Sequence, residues 1–180
     1  MPVAWHVNYW DRLGWKDVYA SKANTARQYA YAKLWRARSV YTPGFALNGR
    51  ESRRGEGIGE TPRDTGQLTV VWKDDMTAEI TYSPLANAKS QRYNITLALL
   101  GGSIISNIRK GENAGSELHH EFVARQTAEA MLTRESEKSH IATLKLSVDA
   151  APITPRRALA IWVTQRGDIT PIQATGGWLE

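Results

Sequence analysis

From Leu68 onward the chain is a succession of short runs rich in Val, Ile, Thr, Tyr and Trp, separated by turn residues and by no clear helical repeat. Residues 68–72, 78–82, 93–100, 104–108, 141–148 and 158–165 each have the length and the β-branched or aromatic content of a strand. Parallel strands need long crossovers, usually helices. Consecutive strands without them predict antiparallel, sandwich-like packing over residues 67–180. Residues 120–132 read either way, because Thr127-Ala-Glu-Ala-Met131 is rich in helix formers.

The first 50 residues are patterned differently. Residues 3–9 alternate Val, Trp and Tyr with Ala, His and Asn, as a strand does. A polar loop with Asp11, Gly14, Trp15 and Asp17 follows, then a helix that Ser21 or Asn24 can cap. Ala26, Tyr29, Ala30, Lys33, Leu34 and Ala37 recur on it at helical spacing, and Arg27, Tyr31, Trp35 and Arg38 share a second face. Tyr41-Thr42-Pro43 leads into a short strand, 45–47, closed by the turn signal Asn48-Gly49. Residues 51–66 hold four Gly, one Pro and mixed charges without apolar periodicity, and read as a loop or linker.

Several chemistries are excluded by what the chain contains. With no cysteine, it has no disulfide, no thiolate nucleophile and no Cys-ligated zinc. His6 and His140 lack the spacing of helical metal ligands, and His119 and His120, adjacent on a strand, point to opposite faces. Neither a metal nor an organic cofactor is expected: 55–59 is a misplaced glycine pattern, and no phosphate loop or nucleophile elbow occurs. No apolar run approaches membrane-spanning length, and no signal peptide is visible. Between Val18 and Arg50 lie six basic residues and no acid, against a net charge of +5 for the whole chain. Such a face binds anionic partners, or is solvated, or pairs with acids elsewhere; nucleic acid is the weakest of these readings.

Three segments are distinctive: 6–17 (His-Val-Asn-Tyr-Trp-Asp-Arg-Leu-Gly-Trp-Lys-Asp), 25–32 (Thr-Ala-Arg-Gln-Tyr-Ala-Tyr-Ala) and Ser39-Val-Tyr-Thr-Pro43 with Asn48-Gly-Arg50. With Arg109-Lys-Gly-Glu-Asn-Ala-Gly115, 123–125 and the closing Pro171-Ile-Gln-Ala-Thr-Gly-Gly177, they resemble a family of mostly exported bacterial proteins, the domain of unknown function 1223. The resemblance spans nearly the whole chain. It implies a thioredoxin-like N-terminal half, a periplasmic or secreted location, and a Cys-x-x-Cys loop that these residues do not include. A cytoplasmic location follows instead if the start is genuine. It also implies that Thr42-Pro43 occupies the cis-proline position of that fold, with the Thr42 backbone facing an extended substrate; an ordinary trans turn is the other reading.

The fold expected is therefore α+β: a truncated thioredoxin-like α/β unit over 1–50, a linker over 51–66 and an antiparallel β-sandwich-like region over 67–180. The function expected is a non-catalytic binding or structural module for a protein or peptide partner, with a homodimer through an exposed sheet edge as a further expectation. The alternative is part of a thiol–disulfide oxidoreductase whose dithiol lies upstream; no thiol redox activity is expected of these residues alone. The candidate binding residues are Asp11 and Trp15 in the first loop, Thr42 and Pro43, and Glu112, Asn113 and His119 around the Gly111–Gly115 turn. Each also has a plain structural reading, as a helix cap, core cover or turn.

Overall fold

The structure, a computed structural model, describes residues 1–52, 64–73, 76–88, 92–147 and 154–179. In chain order these residues form a 3-10 turn (Asp11–Leu13), one helix α1 (Lys22–Leu34), and strands β1 (Phe45–Leu47) and β2 (Arg50–Ser52). Then come β3 (Gln67–Trp72), β4 (Thr77–Ser83), β5 (Tyr93–Gly102), β6 (Ile104–Asn107), β7 (Glu117–His120) and β8 (Val123–Met131). The last four are β9 (Thr133–Arg134), β10 (His140–Lys145), β11 (Arg156–Gln165) and β12 (Pro171–Leu179).

Two antiparallel four-stranded sheets, ordered β3-β4-β10-β9 and β12-β11-β5-β8, carry the core. Alternation along the strands decides which side chains meet. Ala78, Ile80 and Tyr82 of β4 and Leu144 of β10 pack against Ile95, Leu97 and Leu99 of β5 and Leu159, Ile161 and Val163 of β11. Residues of the opposite parity (Ala98, Leu100, Ala158, Ala160 and Trp162) form a second cluster on the outer face of the second sheet. Val3, Trp5 and Phe122 cover that face. β5 and β11 are thus buried on both sides, which is why they read as nearly unbroken apolar runs.

The outer face is shallow because it is built largely of alanine, and this leaves room for tryptophan. Trp5 stands edge-on to Trp162 with ring centroids 6.2 Å apart. The Arg27 guanidinium of α1 lies 4.5 Å over Trp5 and pairs with Glu129 of β8 at 2.9 Å. Tyr31 donates its hydroxyl to the Ile169 carbonyl, and Trp35 its indole N–H to Gly49. The second helix face is therefore occupied by contacts with the rest of the chain.

This arrangement corrects the fold expected from sequence. The class is β-rich, with a single α-helix among the described residues, not α+β, and residues 1–50 do not form a thioredoxin-like α/β unit. The physical reason lies in the helix and the segment before it. No residue of α1 joins either apolar cluster, so it cannot serve as the covering layer of a sheet. Residues 3–9 do not form a strand; they make only two single bridges, Ala4 to Val123 and Val7 to Ser21. The ambiguous 120–132 segment is strand, and β12, unforeseen, is an edge strand. The expected linker falls mainly on 53–63, outside the described residues, as do the 55–59 glycines and Val148.

Candidate functional site

The loop from Trp10 to Asp17 is the hub of a surface rich in polar and aromatic contacts. Gly14, at φ +102°, closes the 3-10 turn, a conformation that favours glycine. Asp17 then anchors the loop. Its Oδ2 accepts from His6 Nδ1 at 2.5 Å, its Oδ1 accepts from the Tyr19 backbone N–H at 2.9 Å, and its own N–H donates to Asp11 Oδ1. The turn at Gly111 docks on the same loop. A side chain at Gly111 (φ +84°) would stand 3.0 Å from the Leu13 carbonyl and 3.2 Å from the Trp15 nitrogen.

Beneath the hub lies a cluster of rings and charges. His6, Tyr19 and His120 meet edge-on with centroids 5.2 to 5.7 Å apart, and the Arg125 guanidinium lies 4.5 Å over Tyr19. Burial works to raise the Asp17 pKa. The His6 hydrogen bond, the Tyr19 N–H and the charges of His6 and His120 outweigh it and hold the carboxyl below its ordinary value. Burial, reinforced by His6, lowers His120. Burial also lowers Arg125, against the opposing influence of Tyr19 and Asp17.

On the other side of the hub the surface is aromatic and basic. Trp10 donates its indole N–H to Thr42 Oγ1 at 3.0 Å, and Gln28 donates to the Tyr41 carbonyl at 2.8 Å. The Thr42–Pro43 peptide bond is cis. Trp10, Tyr29, Tyr41 and Phe45 are all exposed. Phe45 begins β1, which pairs only with β2 through the Asn48-Gly49 turn, so this ribbon belongs to no larger sheet among the described residues. Lys22, Lys33, Arg36, Arg38 and Arg50 are exposed as well. None of the five forms an ion pair among the described residues.

The hub loop thus gathers most of the residues singled out from sequence. Asp11 and Trp15 lie in it, Thr42 and Pro43 join it through Trp10, and the turn holding Glu112 and Asn113 docks against it. His119 does not join them. It is exposed on the outer side of β7, paired with Glu117 at 3.0 Å, while His120 faces inward. Sequence reasoning missed Tyr19 and Arg125 as site residues, weighed His6 and His120 only as metal ligands, and chose His119 of the adjacent histidines for the site. Leu118, two residues from His120 and on the same strand face, was the signal that His120 points in. Among the described residues no three His, Asp or Glu side chains are placed to hold a metal ion, and no helix is long and apolar enough to cross a membrane.

A family described as "Protein of unknown function (DUF1223)" matches residues 1–164. Among solved structures, an X-ray structure of an Agrobacterium tumefaciens protein from a structural genomics consortium is similar, with a TM-score of 0.66 at 21% identity. The match covers 97% of this chain and 78% of that one, and at this identity it speaks to the fold alone. No curated protein matches.

Proposed function

The chain belongs to the DUF1223 family, and we propose that it is a non-catalytic binding module that takes an extended, acidic segment of a partner protein on the surface around Trp10 and β1. One observation carries the reading: Trp10, Tyr41 and Phe45 stand exposed beside a two-stranded ribbon that joins no larger sheet among the described residues. Exposed aromatics with polar handles favour contact surfaces. An unpaired strand edge offers backbone donors and acceptors to an extended segment. The sign of the partner's charge follows from the unpaired cations of residues 22–50, which attract acids and speed encounter. No cysteine is present to support thiol chemistry.

The test is binding of immobilised random dodecapeptides sorted by net charge, at low and at moderate salt. Acidic peptides bearing an apolar side chain should be retained, with affinity falling as salt rises. A Trp10→Ala/Phe45→Ala variant with an unchanged unfolding midpoint should lose that retention. Retention independent of peptide charge, or unaltered in the variant, refutes the proposal.

A further inference from the structure

Beyond the peptide surface, the cluster beneath the hub has the features of a second site. Two buried side-chain nitrogens of this cluster, His120 Nε2 and Arg125 Nε, lack a hydrogen-bond partner among the described residues. Both flank the Tyr19 ring. Arginine Nε always carries a proton, so its unmade bond calls for an acceptor. The nearby carboxylate does not answer it: Asp17 is engaged by His6 and the Tyr19 N–H, and Arg125 forms no ion pair among the described residues.

The backbone departs from regularity where it places these two groups. In the pairing of β5 with β8, Leu99 faces Gln126 and Leu100 faces Ala124, so Arg125 is the extra residue of a β-bulge. Bulges re-aim side chains out of a ladder and recur beside functional sites. Phe122, between the two groups, sits at φ +55°, a conformation that L-residues rarely adopt. Solvent reaches the cluster, since the His6 and Asp17 side chains keep 17% and 16% of their exposure.

We propose that this corner binds a small oxyanion, whose oxygens accept from Arg125 Nε and His120 Nε2. The ligand class is a carboxylate or a phosphate group, free or at the end of a small molecule. Asp17 opposes a highly charged anion by repulsion, which favours a small group of low charge. Asp17 and His6 act as positioning residues, fixing Tyr19 beside the two donors.

The experiment follows the imidazole C–H signals of His120, assigned through His120→Gln, in the intact chain. Inorganic phosphate and acetate are titrated separately, each against chloride at matched ionic strength. A shift that saturates with phosphate, acetate or both supports the site and identifies which oxyanion it prefers. A shift that chloride reproduces overturns it. Arg125→Gln should weaken binding about tenfold or more, the effect of losing one charged hydrogen bond. Should that variant fail to fold, Arg125→Lys keeps the charge and removes the Nε donor, and the same weakening is expected. Unchanged affinity in the folded variant overturns the proposal. His119→Ala, on the opposite strand face, should leave binding as it is. Peptide retention on the Trp10 surface is a separate readout, so either proposal can fail alone.

Discussion

The His6–Asp17 pair is the contact on which the hub loop most directly depends, and its contribution can be isolated. A hydrogen bond to an ionised carboxylate, largely sheltered from water, is worth about 1.5–3 kcal/mol net. His6→Ala alone also removes the contacts with Tyr19 and His120, and Asp17→Ala alone also frees the Tyr19 N–H. The double-mutant cycle cancels those and leaves the pair. The coupling energy expected is about 1.5–3 kcal/mol at pH 7, read by urea unfolding followed through tryptophan fluorescence. The Asp17 pKa is lowered in the folded state from its ordinary 3.8. Its contribution is therefore complete above that value and is lost as pH falls through the lower, folded one. A coupling below about 0.5 kcal/mol would place the pair among exposed contacts of little consequence and refute the reasoning.

Three further outcomes are expected. His120 is lowered from 6.5 by burial, so between its folded value and 6.5 the unfolded chain holds the extra proton. Stability should accordingly fall on acidification below about pH 6.5, and His120→Gln should flatten that part of a plot of unfolding free energy against pH. Leu97, fully buried between the sheets, should cost about 2–5 kcal/mol as Leu97→Ala, measured by urea unfolding. Ser21 caps α1 by accepting from the Asn24 N–H at 3.0 Å; Ser21→Ala should cost about 0.5–2 kcal/mol, with faster amide exchange confined to the first turn.

What the residues disclosed depended on how far their environment was local. β5 and β11 were legible because β-branched and aliphatic residues follow one another without interruption. β12 was not: Pro171-Ile-Gln-Ala-Thr-Gly-Gly-Trp-Leu179 carries two glycines and few β-branched residues, and only pairing with β11 holds it extended. β8 was ambiguous because alanine, half-buried at 128 and 130, favours helix by itself, and the sheet overrides that preference. Residues 3–9 alternate for another reason, with Val3 and Trp5 meeting the outer face of a sheet they do not join. The α/β reading of the first 50 residues came from a family resemblance, and the helical spacing of Ala26, Ala30 and Leu34 could not show that α1 joins no apolar cluster. The loops of the candidate site were visible as turns, but their convergence on Trp10 to Asp17 depends on contacts distant in sequence.

Trp5 rests against Trp162, and Ala4 bridges to Val123. On the ribosome the N-terminal segment emerges long before the strand it covers has been made. It must wait, with its tryptophans in water, until Trp162 and its strand are out. The outer face of β11 meanwhile is open at birth, and its alanines offer little for a stray apolar surface to hold. The small residues that admit Trp5 in the finished molecule thereby also protect the newborn chain against the wrong neighbour.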